Sequence, residues 1–523
     1  MGLSKGSLLA AGLMMGQASA ALQPIVMKGA KFFYENGTQF YMKGVAYQQA
    51  VGAAGAKATS SSYIDPLSDA AICKRDVPIL AAAGTNTIRV YAVDPTADHT
   101  QCMKLLDDAG IYVVADLGEP ALSIERDNPQ WNVALFDRYK KVIDELAKYD
   151  NVIGFFSGNE VTNNKTNTGA SAYVKAATRD SKNYIKSKGG RWMGVGYATN
   201  DDTDIRVDLA NYFNCGNQTD SIDYWGYNIY SWCGTSSMEA SGYSGQVEFF
   251  KNYSVPVFFA EYGCNEGPLK AEGRDFSDAT ALYSDAMTGV FSGGIVYMYY
   301  EEDNNYGLVK VDGSGAAKTM KNYDALKKAV TAARPKAIDM ASYTPSNKAA
   351  ECPATHDKWR ANANLPPTPD QSVCDCMVKA ATCAPSSSLS SKSFGEIFGY
   401  ICAQPGNPCG GINGNATTGI YGPYSMCDDK AKLTHVLDTY YKSQKNAASA
   451  CDFKGKAAVA SSPSTPSSCT AALASASAAA ENARTATAAP SAGGDKSGAV
   501  SVRELAVGLY AVAAVGLGAL VML

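Results

Sequence analysis

Two stretches of sequence decide the fold: VIGFFSGNE at residues 152–160 and VPVFFAEYG at residues 255–263. Each begins as a short apolar run rich in β-branched and aromatic residues, which is typical of a buried strand, and each leads into a glutamate. Similar runs recur between residues 40 and 299, separated by amphipathic segments such as Trp131–Tyr149. The eight predicted strands are Phe40–Val45, Thr87–Ala92, Ile111–Leu117, Val152–Ser157, Trp192–Tyr197, Ile222–Tyr227, Val255–Ala260 and Ile295–Tyr299.

Eight strands that alternate with helices predict an α/β fold, the (β/α)8 TIM barrel, in which functional residues lie at the C-terminal ends of the strands. A doubly wound parallel sheet is the alternative. No phosphate-binding glycine fingerprint follows the first strand, which favours the barrel. We expect the barrel to span residues 21–335.

The N-terminal end has the composition of an export signal. Lys5 provides a positive charge, Leu8–Met15 is apolar, and Ala18–Ala20 consists of small residues. This pattern predicts a signal peptide at residues 1–20, with a buried N-terminal helix as the alternative.

The C-terminal end has the pattern of a lipid-anchor signal. Leu505–Leu523 contains no charged residue and follows the small residues Ser491–Gly494 and a polar spacer. We expect residues 491–523 to be a GPI-anchor attachment signal that is removed, with a transmembrane helix as the alternative.

The cysteine content predicts a second, smaller domain. Fourteen cysteines suit seven disulfides in an oxidising compartment, and nine of them lie between residues 352 and 469. We expect a linker at 336–373 and a cysteine-rich module at 374–455, with Cys352 and Cys469 as flanking bridge partners. Residues 456–490 are rich in Ser, Thr and Ala, which predicts an O-glycosylated stalk without a folded core. Five glycosylation sequons agree with secretion; they begin at Asn36, Asn164, Asn217, Asn252 and Asn415.

The composition also limits the chemistry. A net charge of −4 gives no reason to expect a nucleic acid as partner, whereas a neutral polysaccharide is compatible. His99, His356 and His435 are the only histidines and are far apart in the sequence, so a histidine metal site or a Ser-His-Asp triad is hard to build. We therefore expect neither a metal nor a cofactor, and carboxylates remain as the candidates.

Two carboxylates stand where a barrel places its chemistry. Glu160 follows the fourth predicted strand and Glu261 follows the seventh, so both lie at the same rim. Cleavage of a glycoside needs one carboxylic acid to protonate the leaving oxygen and one carboxylate to attack the anomeric carbon, about 5–5.5 Å apart in retaining enzymes. Asn159 is placed to bind a sugar hydroxyl. Tyrosines near strand ends suit the faces of glucose units: Tyr91, Tyr227, Tyr230, Tyr297 and Tyr299.

Four motifs carry a family resemblance: KGVAYQ at 43–48, SGNE at 157–160, FAEYGC at 259–264 and SGGIVYMY at 292–299. They resemble the GPI-anchored β-1,3-glucanosyltransferases of fungal cell walls. Asn-Glu occurs in many barrel glycosidases, whereas Glu-Tyr-Gly-Cys and the glycine-rich eighth strand are more specific. The resemblance covers almost the whole chain, including the cysteine-rich module, the stalk and the anchor.

The resemblance implies a retaining double displacement, in which Glu261 is the nucleophile and Glu160 the acid/base. An internal β-1,3 bond would be cut and the fragment joined to the non-reducing end of a second glucan. Tyr91, Asn159 and Tyr297 would hold the donor, helped by the loop at 118–126, and Asp201 and Arg206 would hold the acceptor. Gln48, Asp116 and Tyr230 would be further residues of the site.

The resemblance also implies disulfides and a location. The bridges would be Cys73–Cys102, Cys215–Cys352, Cys233–Cys264, Cys374–Cys427, Cys376–Cys469, Cys383–Cys451 and Cys402–Cys409. The module would bind glucan or support the barrel. The protein would be a monomer, attached by a GPI lipid to the outer face of the plasma membrane or held in the wall.

Two other functions remain open. A hydrolytic β-1,3-glucanase would form the same glycosyl-enzyme and differ only in its capture by water, so the preference for transfer rests on the family resemblance. A non-catalytic glucan-binding wall protein would not need the two rim glutamates, and the presence of both in full motifs argues against it.

Overall fold

In this computed structural model, residues 22–49, 63–266 and 273–485 are described. Eight parallel strands form a closed barrel, β4 (Met42–Ala46), β5 (Thr87–Val90), β6 (Tyr112–Asp116), β7 (Val152–Asn159), β8 (Gly194–Thr199), β9 (Trp225–Asn228), β10 (Val257–Tyr262) and β11 (Phe291–Val296). Each strand pairs with its sequence neighbours, and β11 pairs with β4 to close the ring. The predicted TIM barrel is confirmed.

The position predicted for the eighth strand is wrong. The strand is Phe291–Val296, not Ile295–Tyr299, and it includes the glycines of Ser292-Gly293-Gly294. Glycine usually weakens a strand, but here β11 approaches β4 so closely that a Cβ at Gly293 would lie 2.1 Å from the carbonyl oxygen of Met42. The tyrosines that follow are therefore on the loop at the rim.

Helices surround the barrel: α1 (Ala70–Ala82), α2 (Thr100–Asp108), α3 (Val133–Leu146), α4 (Ala170–Ser187), α5 (Arg206–Asn214), α6 (Tyr243–Phe250), α7 (Ser277–Leu282), α8 (Asp285–Thr288) and α9 (Lys321–Ala332). The helix α3 lies within the predicted segment Trp131–Tyr149. It begins after Asn132, whose side chain accepts a hydrogen bond from the amide of Leu135 at 3.0 Å. Its apolar side buries Tyr139 and Val142 against the strands.

A small antiparallel sheet covers the N-terminal end of the barrel. It consists of β1 (Ile25–Lys28), β2 (Lys31–Tyr34) and β3 (Gln39–Phe40). The fully buried ring of Phe32 contacts Tyr224 and Phe258 with centroid distances of 5.9 and 6.2 Å. A hairpin β12 (Val309–Val311) and β13 (Ala317–Thr319) follows the eighth strand. The C-terminal ends of the barrel strands lie at the opposite rim.

The cysteine-rich module is helical and packs on the barrel. Its helices are α10 (Gln371–Ala380), α11 (Phe394–Cys402) and α12 (Asp429–Ser443), and its short strands are β14 (Cys383–Pro385), β15 (Gly414–Asn415), β16 (Ile420–Tyr421) and β17 (Ala457–Val459). The amide of Val133 at the start of α3 donates to the carbonyl of Met426 at 2.9 Å. Thr368 in the linker donates to Asp180 on α4 at 2.7 Å. The linker and the module are therefore both anchored to the α3–α4 side of the barrel.

All fourteen cysteines are paired in the structure. The pairs are Cys73–Cys102, Cys215–Cys352, Cys233–Cys264, Cys374–Cys427, Cys376–Cys469, Cys383–Cys451 and Cys402–Cys409. They are the same pairs that the family resemblance implies.

The expectation that residues 456–490 lack folded structure is wrong for part of this segment. It contains β17 and a helix, α13 (Thr470–Thr485). Alanine is the strongest helix former, and seven of the ten residues from 471 to 480 are alanine. The Cys376–Cys469 bridge holds the start of α13 on the module, and Ala476 is buried there in an apolar cluster.

The predicted signal peptide, the anchor signal at 491–523 and the last residues of the predicted stalk lie outside the described residues. Across residues 22–49, 63–266 and 273–485, no helix has the length and hydropathy needed to cross a membrane.

Candidate active site

The two glutamates lie at the same rim of the barrel because their strands are parallel. Glu160 is the residue after β7, and Glu261 is the fifth residue of β10. Glu160 has a left-handed backbone with φ of 48°, which is uncommon for a residue other than glycine and concentrates at functional sites. Its amide donates to the carbonyl of Ala198 at 2.9 Å, and its carbonyl accepts from Arg126 at 2.9 Å. These contacts hold the backbone of Glu160 in this conformation.

Glu261 is almost fully buried and accepts hydrogen bonds on both carboxylate oxygens. Oε1 accepts from the hydroxyl of Tyr91 at 2.8 Å and from Nη1 of Arg89 at 3.3 Å. Oε2 accepts from the hydroxyl of Tyr230 at 2.8 Å. Burial raises the pKa of both tyrosines well above 10, so they remain protonated donors. Three donors therefore set the orientation of this carboxylate.

The electrostatic environment of Glu261 contains opposing effects. Burial raises the pKa of Glu261 to about 7, and the nearby carboxylate of Glu160 adds to this rise. The Arg89 guanidinium and the two tyrosine hydroxyls lower the pKa, because each stabilises the ionised form. The donors thus keep a buried carboxylate able to ionise near neutral pH.

A chain of hydrogen bonds joins the two glutamates. Nδ2 of Asn228 donates to Oε1 of Glu160 at 2.8 Å and to Oδ1 of Asn159 at 3.0 Å. That same Asn159 oxygen accepts from Nη2 of Arg89 at 3.0 Å, and Arg89 also reaches Glu261. We call Glu160, Asn228, Asn159, Arg89 and Glu261 the rim chain.

Sequence reasoning missed Arg89 and Asn228. Arg89 is fully buried within β5 and makes a two-point ion pair with Asp116, at 3.1 and 3.0 Å. An arginine inside the otherwise apolar run Thr87–Ala92 is a signal that was available, since such a charge needs a buried partner. Asn228 is the last residue of β9, at the same rim as Glu160 after β7. A polar residue at a strand end also indicates a site residue, but less strongly than a charge inside a strand.

The other predicted site residues form two groups. Tyr297 lies beside Glu261, with its ring centroid 6.4 Å from that of Tyr91 and 6.5 Å from that of Tyr230. Gln48 supports this group from behind, because its side-chain oxygen accepts from the amides of Tyr91 and Ala92 at 3.1 and 3.0 Å. The rings form an aromatic surface next to the carboxylate.

Asp201 and Arg206 form the second group, on the segment after β8. Nε of Arg206 donates to Asp201 at 2.6 Å, and the hydroxyl of Tyr227 on β9 also donates to Asp201. Asp201 and Arg206 are partly exposed, so both are accessible at the rim. The structure connects this pair to Tyr227 rather than to the rim chain. Arg126 ends the predicted loop at 118–126 and binds the backbone of Glu160.

One group in the described part of the chain has the spacing of metal ligands, Cys233, Cys264 and Glu266. The two sulfur atoms are bonded to each other, so neither is a thiolate that could bind a metal.

The fold and the site define a class: a (β/α)8 enzyme with two glutamates at the strand ends, as in glycosidases that act with retention. The sequence matches the Glucanosyltransferase family over residues 14–334 and the X8 domain over residues 381–458. The chain belongs to the glucanosyltransferase family and is, with it, an enzyme of glycosyl transfer.

Similar proteins are fungal. A 1,3-beta-glucanosyltransferase of Arthroderma benhamiae is 50% identical and matches 93% of this chain and 92% of its own length. The 1,3-beta-glucanosyltransferase gas1 of Schizosaccharomyces pombe is 44% identical and matches 88% of this chain and 83% of its own length. A Saccharomyces cerevisiae Gas2p mutant, solved in complex with laminaritetraose and laminaripentaose, superposes with a TM-score of 0.77 at 39% identity. That match covers 87% of this chain and 99% of the solved one.

Proposed function

We propose that this protein is a β-1,3-glucanosyltransferase that cuts an internal bond of one β-1,3-glucan and joins the new reducing end to the non-reducing end of another. The observation that carries the proposal is the rim chain, which holds two glutamates at one rim in a member of this family. The laminari-oligosaccharides bound to the similar Gas2p support β-1,3-glucan as the substrate.

In the first step, a carboxylate oxygen of Glu261 attacks the anomeric carbon of the donor. The bond from this carbon to the bridging oxygen breaks, and Glu160 gives its proton to that oxygen, which leaves as the 3-hydroxyl of the departing fragment. The hydroxyls of Tyr91 and Tyr230, which hydrogen-bond to Glu261, favour its ionised form and orient it for the attack. The aromatic surface at Tyr297 packs against the sugars of the glucan that is cut.

In the second step, Glu160 is a carboxylate and acts as the base. It takes the proton from the 3-hydroxyl of the acceptor while that oxygen attacks the anomeric carbon, and Glu261 leaves as a carboxylate. Two inversions give net retention. At the rim, Asp201 can accept hydrogen bonds and Arg206 can donate them, and we assign this pair to binding the incoming glucan. Transfer wins over hydrolysis when this sugar is held at a high effective concentration.

The proposal extends to the organisation and the location of the chain. We propose a signal peptide at 1–20, a catalytic barrel at 21–335, a linker at 336–373, a glucan-binding module at 374–455, a glycosylated segment at 456–490 and a removed anchor signal at 491–523. The last barrel helix, α9, which ends at Ala332, supports the barrel boundary. Seven disulfides support an oxidising compartment. In this proposal the protein is a monomer that a GPI lipid attaches to the plasma membrane, or it is held in the cell wall.

The test is to incubate the purified protein with a reduced laminarin-type oligosaccharide and resolve the products by size. Products longer than the substrate, absent for Glu160→Gln and Glu261→Gln, are the expected result. Only shorter products would make the protein a β-1,3-glucanase. Full activity of either variant would show that the reaction does not depend on this pair of glutamates.

A further inference from the structure

Arg274 is a buried cation with no part in the mechanism described above. It lies between β10 and α7, and it is 3% exposed. Nη1 donates to the carbonyls of Tyr297 at 2.7 Å and Gly263 at 3.3 Å, and Nη2 donates to the carbonyls of Tyr306 and Gly307, the latter at 3.3 Å. One guanidinium therefore binds backbone from the two loops that follow β10 and β11.

These carbonyls belong to the backbone that supports three rings beside the nucleophile. The ring of Tyr306 lies 5.3 Å from that of Tyr297 and 5.6 Å from that of Tyr230, and Tyr230 donates to Glu261. We call Tyr230, Tyr297 and Tyr306 the aromatic wall. Two of its three members have their backbone carbonyls on Arg274.

The surroundings are adapted to this cation. Gly263 has φ of 108°, and a Cβ there would lie 3.2 Å from Nη1 of Arg274, so a side chain would be strained and would crowd the guanidinium. The ring of Phe276 lies under the guanidinium at 4.9 Å. Burial lowers the pKa of Arg274 to about 10, and the buried Asp278 opposes this effect, so the group remains charged at neutral pH.

We propose that Arg274 is a positioning residue, which fixes the aromatic wall relative to Glu261 and so places the donor sugar for attack. It acts through Tyr297 and Tyr306 and does not touch the substrate itself. This inference rests on the proposed function, because it assigns the wall to donor binding.

The test is a double-mutant cycle between Arg274→Lys and Tyr297→Ala, read as kcat/KM for consumption of a reduced laminarin-type oligosaccharide. Lysine keeps the charge but replaces a planar fork by one ammonium group, which cannot bind the two loops in the same geometry. We expect Arg274→Lys to lower kcat/KM at least tenfold, mainly through KM, and to cost less than threefold in the Tyr297→Ala background. An equal loss in both backgrounds, or no loss in the otherwise wild-type protein, would overturn the inference.

Arg191 provides the matched control. Its guanidinium also binds backbone carbonyls, those of Val152, Trp192 and Tyr149, but at the N-terminal end of β7, away from the rim. Arg191→Lys is expected to lower the apparent Tm while leaving kcat/KM within twofold. A loss of kcat/KM equal to that of Arg274→Lys would mean that general destabilisation explains both, against a positioning role.

Two provisions keep the outcome clear. If Arg274→Lys is not secreted, Phe276→Leu removes the ring under the guanidinium, and the same dependence on Tyr297 is required of it. Consumption of the oligosaccharide is measured because it counts hydrolysis and transfer alike. If the wild-type protein forms no products longer than the substrate, the proposed function is refuted. If it does form them but the effects of the two substitutions are additive, only the role of Arg274 is refuted.

Discussion

Tyr230→Phe tests how the barrel keeps Glu261 ionised. The substitution removes one hydroxyl that donates to Oε2 of Glu261 at 2.8 Å, and it keeps the ring in contact with Tyr297 and Tyr306. The hydrogen bond favours the carboxylate form, so its loss raises the pKa of Glu261 above about 7.

The size of the effect follows from the type of bond. A hydrogen bond to a charged group contributes about 1.5–3 kcal/mol, and about 1.4 kcal/mol corresponds to one pKa unit. We expect the acid limb of the kcat/KM profile, which reports the free enzyme, to move upward by about one pH unit or more. Activity at acid pH then falls about tenfold, and the two proteins converge at pH values where Glu261 is ionised in both.

The assay is consumption of a reduced laminarin-type oligosaccharide across the pH range. Tyr243→Phe is the matched control, because Tyr243 is buried and its hydroxyl has no hydrogen-bond partner among the residues that the structure describes. Its profile is expected to coincide with that of the wild type. If Tyr230→Phe lowers the rate equally at every pH, its hydroxyl does not control the ionisation of Glu261, and the reasoning is refuted.

Three further predictions concern stability. The pKa of Glu261 rises from 4.5 to about 7 on folding, so its ionisation lowers the free energy of unfolding by roughly 3 kcal/mol above pH 7 and has no effect below about pH 4.5. Glu261→Gln is therefore expected to raise the apparent Tm over wild type at pH 8 but not at pH 4, and an equal shift at both pH values would contradict this. His435 is buried with its pKa lowered from 6.5 to about 4, so the folded state loses stability as the pH falls between these values. His435→Gln is expected to make the urea midpoint decrease less between pH 7 and pH 4.5, and an unchanged decrease would contradict this role of His435. Cys376→Ala together with Cys469→Ala removes a bridge whose loop is already shortened by Cys383–Cys451, so the expected loss of stability is about 3.5 kcal/mol in the chain-entropy model. Hydrogen exchange across residues 470–485 is expected to become faster, with near-normal glucan consumption, and unchanged exchange would show that Thr470–Thr485 docks without the bridge.

The sequence allowed the barrel and its two glutamates to be predicted because both depend on local patterns. An apolar run that ends in Glu160 or contains Glu261 near its end specifies a strand and a rim position without knowledge of neighbours. The partners of these residues depend on which strands are adjacent and on side-chain direction. Arg89 and Glu261 are 172 residues apart, and no local pattern links them.

Two differences arise from context overriding composition. The eighth strand was predicted at Ile295–Tyr299, but it begins at Phe291 and includes Gly293 and Gly294, whose lack of side chains permits the close contact between β11 and β4. The segment after residue 456 has the composition of a stalk, but a disulfide at Cys469 and the helix propensity of alanine produce a docked helix. Neither effect is visible before the three-dimensional neighbours are known.

The rim chain has a consequence for how charge moves during turnover. The mechanism proposed above starts with a proton on Glu160 and a negative charge on Glu261. In its glycosyl-enzyme the negative charge is on Glu160, and Glu261 is an uncharged ester. The formal charge of the pair is the same in both states, so the reaction shifts one negative charge from the Glu261 end of the chain to the Glu160 end. Arg89 contacts Glu261 at one end of this chain, and Asn228 contacts Glu160 at the other. Because charge is displaced and not created, the site needs no counterion to enter or leave, and a neutral polymer can occupy the rim during the whole cycle.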